Sequence, residues 1–259
     1  MKKITSITID QQRCTGCGLC VSDCVAKNLY LIDGRAAYKS SVCMECGHCF
    51  AICPAEAIDM PEYNTVDCRE LGSLAEIDSD KLLLAMKSRR SIRQFRDEPV
   101  EEEKLLKVIE AGRYAPTAKN SQDISYIVLQ DSLAQMETAA GALFQRLQKK
   151  AGALSAPLKD VVIDEHFFFK DGKAAILTVS QSPLDAGLAS SYMELMAESL
   201  GLGVLYSGFF VAAVRLGKEI RQELGLDKEE QVVSCLVLGY PDVGYQRIVP
   251  RRPAKIKMK

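Results

Sequence analysis

Eight cysteines near the start of the chain carry its plainest chemistry. Cys14, Cys17, Cys20 and Cys24 recur, offset by 29 positions, as Cys43, Cys46, Cys49 and Cys53. Each run reads C-x-x-C-x-x-C-x-x-x-C, and a glycine follows its second cysteine, Gly18 and Gly47. Three thiolates at intervals of three residues line one tight loop, and a fourth from elsewhere completes the four-cysteine set of an iron–sulfur cubane. Gly16, Gly18 and Gly47 suit loops whose backbone N–H groups turn toward sulfide. Structural zinc usually takes paired C-x-x-C knuckles separated by a longer loop, and three cysteines in seven residues crowd a single tetrahedral ion. Disulfides need an oxidising compartment, and Met1-Lys2-Lys3-Ile4 opens no signal peptide.

Over about residues 1–62 the chain resembles the bacterial two-[4Fe-4S] ferredoxins, and Cys-Pro-Ala-Glu-Ala-Ile at 53–58 matches their second ending. In those proteins the last cysteine of each run ligates the other cluster. The resemblance therefore implies one cluster on Cys14, Cys17, Cys20 and Cys53 and a second on Cys43, Cys46, Cys49 and Cys24. The first ending departs from the pattern, with Val25 where Pro54 stands in the second.

The 259 residues suffice for one large domain or two, and 47% hydrophobic content is ample for buried cores. With 33 basic and 34 acidic residues the net charge is −1, which gives no sign of a nucleic-acid partner. The charge is uneven. Lys87 to Arg96 and Tyr245 to Lys259 are basic and free of acids, and two such stretches can meet on one anion. No apolar run reaches membrane-spanning length. Cysteines suited to metal and the lack of an export signal point to a cytoplasmic protein.

Three regions are expected to position these groups: a ferredoxin-like module at 1–62, a linker at 63–79 and a layered α/β domain at 80–259, together an α+β protein. In the module, Ile4 to Ile9, Leu29 to Ile32 and Ala57 to Met60 read as short strands, with a turn at Asp33-Gly34. In the larger domain helices are expected from Leu82, over Glu101 to Tyr114, over Leu133 to Lys150, and over Leu216 to Leu224. Strands are expected at Ile124 to Gln130, Ala174 to Ser180, Val204 to Tyr206 and Val232 to Gly239. Ser182-Pro183 supplies an N-cap and first-turn proline for a helix presenting Leu184, Leu188, Tyr192, Leu195 and Leu200 on one apolar face. Gly152 to Gly172 resists assignment, and its Phe167-Phe168-Phe169 suits a core, a dimer contact or a lid. Cys68 and Cys235, outside the cluster spacing, read as small buried apolar residues. His48 reads as a surface or sulfur-contacting residue and His166 as structural.

Arg89-Arg90-Ser91-Ile92-Arg93 can bind a phosphate through charge-assisted hydrogen bonds, although alone such a run is usually a solvated face. Ala115 to Gln122 (APTAKNSQ), Gly201 to Gly208 (GLGVLYSG) and a closing Gly239-Tyr240-Pro241 followed by arginines come after it. In that order and separation these stretches resemble the FMN-dependent nitroreductase family over nearly all of 80–259. The resemblance implies an FMN phosphate and ribityl chain held by Arg89, Arg90, Ser91 and Arg93, with Arg251 reaching the phosphate. It implies Pro116, Thr117, Asn120 and Gln122 around the isoalloxazine ring, and Ser207 and Gly208 presenting backbone N–H groups to its reactive edge. It also implies an intertwined homodimer with the flavin at the interface. Two departures touch the substrate pocket: Asp123-Ile124 replaces the usual Pro-Trp, and Ser207 stands where some members carry glutamate. Neither a dinucleotide-binding G-x-G-x-x-G nor a P-loop is present.

The fusion implies an oxidoreductase in which two [4Fe-4S] clusters exchange electrons with FMN and the flavin reduces a nitroaromatic, quinone or similar conjugated acceptor. No protein nucleophile is needed. The donor is an external ferredoxin or NAD(P)H. Rival readings are a flavin dehydrogenase or reductive dehalogenase of the same superfamily, and a non-catalytic electron carrier that binds no flavin.

Overall fold

The computed structural model of the chain describes residues 7–39, 43–65, 68, 77–151 and 161–259, with backbone alone at 150 and 151. The start of the strand expected from Ile4, much of the 63–79 linker and part of the 152–172 stretch lie outside the described residues. The chain forms two compact units, one of 1–76 with 117–121, the other of 77–116 with 122–259.

The N-terminal unit is built on short elements. Strand β1 (Thr8–Ile9) pairs antiparallel with β4 (Ile58–Asp59), and β2 (Leu29–Ile32) with β3 (Arg35–Tyr38). The β2–β3 turn places Asp33 and Gly34 at φ +48 and +74, the two left-handed residues that match a hairpin's twist. Strand β3 goes beyond the expected elements, because Arg-Ala-Ala-Tyr carries little β-propensity and forms by pairing with β2. Helices α1 (Leu19–Asp23) and α2 (His48–Ala51) carry the third cysteine of each run, Cys20 and Cys49, and each is entered through a left-handed glycine, Gly18 and Gly47. The apolar core is small: Ile7, Leu29, Ala36, Ala57, Ile58 and Met60 pack with Cys14 and Cys20. So thin a core leaves much of the folding free energy to whatever the cysteines hold.

The second unit is a layered sandwich. Its sheet runs β5 (Ser125–Leu129), β6 (Ala174–Val179), β8 (Val232–Gly239), β7 (Gly203–Tyr206), all neighbours antiparallel. Every β6 residue is buried because both sheet faces are covered. Ala175, Leu177 and Val179 join one core with α5 (Leu133–Ala151), α7 (Gly208–Leu216) and α8 (Lys218–Glu223). Ala174 and Ile176 join the other, with α4 (Glu102–Arg113) and α6 (Pro183–Ser199). Before α4 stands α3 (Ser79–Ser88), capped by the Asp78 carboxylate accepting from Lys81 N–H, and none of its residues is buried.

Ser182 Oγ does cap α6, accepting from Asp185 N–H at 3.3 Å, but the inward face is Ala186, Ala189, Met193 and Ala197. Leu184 and Tyr192 are exposed, and the side of α6 turned to α4 and the sheet carries three alanines beside Met193. The helix expected at Leu216 to Leu224 is α8, and α7 precedes it as a helix beyond the expected elements. Helix α7 was hidden by its poor helix formers, Gly-Phe-Phe-Val, and it breaks at Gly217, where a Cβ would lie 2.9 Å from the Ala213 carbonyl oxygen.

Phe168 and Phe169 are core residues, ringed edge-on or tilted by Phe144, Phe167 and Phe210. Their backbone N–H groups donate to Glu137 Oε1 and Oε2 at 2.7 and 2.9 Å. Burial pushes the Glu137 carboxyl above the usual range, opposed by these two bonds. His166 Nδ1 lies 2.8 Å from Asp171 Oδ1 at the same turn. Cys235 is buried, whereas Cys68 is exposed, contrary to the expectation for a lone cysteine.

Candidate functional site

The eight cysteines gather into two sets that cut across the two runs. One cavity is lined by Cys14, Cys17, Cys20 and Cys53 with Gly16, Gly18 and Ala57. A second is lined by Cys24, Cys43, Cys46 and Cys49 with Tyr38, Gly47 and Met60. Burial pushes the Cys49 thiol up to about 11 and also raises Cys20, so deprotonating a full set calls for a cationic centre among the sulfurs. Among the described residues no group of three or more His, Cys, Asp or Glu has the geometry to hold a single metal ion.

Backbone donors aim at the sulfurs. Asn28 N–H donates to Cys24 Sγ and Ala57 N–H to Cys53 Sγ, both at 3.3 Å and both four residues on. Val25 in place of proline therefore leaves the first ending shaped like the second. Cys14 Sγ accepts from Ala36 N–H at 3.4 Å and Cys43 Sγ from Glu45 N–H at 3.3 Å. Such N–H···S bonds stabilise the added negative charge of a reduced cluster. The repeat extends to the backbone: Gly16 and Glu45, Gly18 and Gly47, and Lys27 and Glu56 are equivalent pairs, and all six residues have positive φ. His48 lies in the second loop with Nδ1 3.3 Å from the Cys46 carbonyl oxygen, a surface role.

In the second unit the arginine-rich segment runs alongside β7. Ser91 bridges Val204 in parallel and Ile92 N–H donates to Val204 O at 2.9 Å, so this segment lies beside the strand that leads into Ser207 and Gly208. Arg89 caps α3 and is held by an ion pair of 2.7 Å to Glu194 of α6, whose carboxyl burial pushes up and Arg89 pulls down. No carboxylate of the described residues pairs with Arg90, Arg93 or Arg251, which are therefore available to an anion. The roots of the two basic stretches meet: Phe95 bridges Pro241, and Arg96 N–H donates to Tyr240 O at 2.8 Å.

Residues 86–240 match the model of the nitroreductase family. The chain belongs to the nitroreductase family. Residues 6–54 match a 4Fe-4S dicluster domain. The FMN reductase [NAD(P)H] of Bacillus subtilis is 31% identical over 169 residues, covering 62% of this chain and 66% of its own length, just short of two thirds. The NADPH-flavin oxidoreductase of Vibrio harveyi is 28% identical over 169 residues, 64% of this chain and 68% of that one. Among solved structures, a nitroreductase with bound FMN from Desulfitobacterium hafniense covers 70% of this chain and 100% of its own, with a TM-score of 0.57 at 21% identity. Iodotyrosine deiodinase, solved with FMN and 3-iodo-L-tyrosine, covers 68% and 97%, with a TM-score of 0.54 at 20% identity. Both structural likenesses concern the fold.

The remaining nitroreductase landmarks are placed unevenly. Ser207 N–H is spent on the Cys235 carbonyl at 2.9 Å, so it is not the donor that the resemblance implied. The Ser207 hydroxyl caps α7, accepting from Phe210 N–H at 3.4 Å. Gly208, at the first position of α7, is exposed, and its N–H belongs to the helix-start donors that have no intrahelical acceptor. Pro116 and Gln122 are exposed members of the second unit, while Thr117 and Asn120 group with the N-terminal unit. The Asn120 amide nitrogen donates to the carbonyls of Met44 and Glu45. Sequence reasoning missed that use, because no spacing links position 120 to a loop 75 residues earlier.

Proposed function

We propose that this chain is an FMN-dependent oxidoreductase whose N-terminal unit holds two [4Fe-4S] clusters that exchange electrons with the flavin, for reduction of a nitroaromatic, quinone or related conjugated acceptor. The observation that carries the reading is the sorting of eight cysteines into two crossed sets of four in a chain otherwise of the nitroreductase family. Clusters supply electrons singly, and bound FMN takes up two and gives them as a hydride. Cys14, Cys17, Cys20 and Cys53 hold one cluster; Cys24, Cys43, Cys46 and Cys49 hold the other.

Arg90, Arg93 and Arg251 neutralise the flavin phosphate, and Arg89, fixed by Glu194, contributes its remaining donors beside the Ser91 hydroxyl. Gly208 offers its N–H where charge gathers on the ring. Pro116, Thr117 and Gln122 border the ring, and water is kept from it by the apolar residues of a second copy. The homodimer is supported by α3, whose Leu82, Leu83, Leu84 and Met86 are exposed, and by the outward Leu184 and Tyr192 of α6. All ten cysteines are free, which suits the cytoplasm.

The test is a cofactor count on anaerobically purified protein, followed by reduction. About eight irons and eight sulfides with one FMN per chain are expected. Bleaching by NADH identifies a nicotinamide donor, and bleaching by dithionite alone a ferredoxin-like one. Reoxidation by nitroaromatics and quinones is expected; reoxidation by haloaromatics alone assigns a dehalogenase. Full iron with no flavin after FMN is supplied sinks the reading and leaves an electron carrier. Light scattering is expected to give twice the chain mass.

A further inference from the structure

Asn120 is joined to the loop between Cys43 and Cys46. Its Nδ2 donates to Met44 O at 3.1 Å and Glu45 O at 3.0 Å. Two carbonyls at one amide nitrogen use both of its hydrogens and set the side chain's orientation. A trans peptide is planar, so the Met44 carbonyl and the Glu45 N–H point in opposite directions. Holding Met44 O from one side therefore aims the Glu45 N–H at the other, where it donates to Cys43 Sγ at 3.3 Å. The amide, the peptide and the sulfur form one chain of hydrogen bonds in which each polarises the next.

The loop requires such support. Glu45 sits at φ +52, a left-handed conformation that an L-residue other than glycine adopts only at a cost in free energy. Its side chain is tied to Tyr63, whose hydroxyl donates to Oε2 at 2.9 Å. Asn120 itself lies at φ +53, where asparagine is among the few residues other than glycine found readily.

We infer that Asn120 is a positioning residue for the second cluster, orienting the Met44–Glu45 peptide so that its N–H bonds Cys43 Sγ and raises that cluster's reduction potential. The inference rests on the assignment of the second cluster to Cys24, Cys43, Cys46 and Cys49. An N–H dipole pointing its positive end at the sulfur favours the more negative, reduced cluster, so weakening it lowers the potential.

The experiment compares the anaerobically purified full chain with Asn120→Ala and Asn120→Gly, by iron count and by potentiometric titration followed with EPR. Glycine keeps the freedom to adopt positive φ while removing the amide, so the pair separates backbone strain from the lost hydrogen bonds. In both variants one reduction step is expected to move to lower potential, with about a threefold fall in the reduced-to-oxidised ratio at a fixed potential, about 30 mV for one electron. The other step is expected to stay in place. Loss of about four irons from both variants is the same effect in stronger form. Steps that do not move, steps that move together, or a shift confined to the alanine variant overturn the inference. An unsubstituted chain holding clearly fewer than eight irons removes the cluster assignment beneath it, and the iron count reads that separately.

Discussion

Gly16 and Glu45 occupy the same place in the two cysteine runs, and both adopt the left-handed conformation, at φ +72 and +52. Around them the supports differ. A Cβ on Gly16 would lie 1.8 Å from the Gly34 carbonyl oxygen, so the turn of the β2–β3 hairpin presses on the first loop and only glycine fits. Arg35, from the same hairpin, donates to the Cys14 carbonyl. At the second loop the contacts are of another kind. Its glutamate is held by Tyr63 and Asn120 through side-chain hydrogen bonds. One loop is therefore braced by the backbone of a hairpin and the other by side-chain hydrogen bonds, although their cysteine spacing is identical. Sequence repetition preserves the ligand geometry and leaves the bracing to whatever chain lies nearby.

The largest test of this comparison removes a crossing ligand. Cys53→Ser is expected to cost about four irons, and adding Cys17→Ser to cost no more, whereas adding Cys46→Ser empties both sites. Cys24→Ser is expected to show the mirror pattern. Iron loss that follows the runs rather than the crossed sets breaks the correspondence between them.

Next in size is Gly16→Ala. With backbone overlap and positive φ together it is expected to cost about 4 kcal/mol or more and to prevent loading of the first cluster. In the second loop Gly47→Ala, whose counterpart in the first run is Gly18, places a Cβ 3.6 Å from Met60 Sδ, an ordinary contact, and is expected to cost only about 1 kcal/mol through its left-handed backbone. Thermal unfolding of the anaerobic protein reads both, and equal losses would mean that the hairpin brace counts for nothing. The Asn120 variants, which shift a potential rather than remove a cluster, come below these. Smallest is Tyr63→Phe. It removes one exposed hydrogen bond from Glu45 and is expected to cost less than about 1 kcal/mol, with full iron retained.

In the second unit, strands and helices were legible wherever propensity and burial agreed. The apolar runs Ala174–Val179 and Val232–Gly239 are strands, and Ser182-Pro183 starts a helix. The face of α6 was misread because apolar residues lie on both sides of that helix. Periodicity finds the larger side chains, and here the closely packed side carries alanines. Helix α7 escaped because its early residues are weak helix formers held by the surrounding core; the one local signal was Ser207, an N-cap residue. Of the arginines, sequence marked the cluster, and the fold separated Arg89, paired with Glu194, from Arg90 and Arg93.

The number and spacing of the cysteines, the glycines that turn their loops and the order of the nitroreductase landmarks are all written in the order of residues. All of these are local, since a tight loop around a small object is defined by a few consecutive residues. Tertiary structure alone decided which carbonyls Asn120 would take, that Ser207 would spend its N–H on Cys235, and that Glu194 would hold Arg89. Each of those choices depends on which donor and acceptor are brought within about 3 Å by packing of distant segments, and a spacing rule cannot encode that distance.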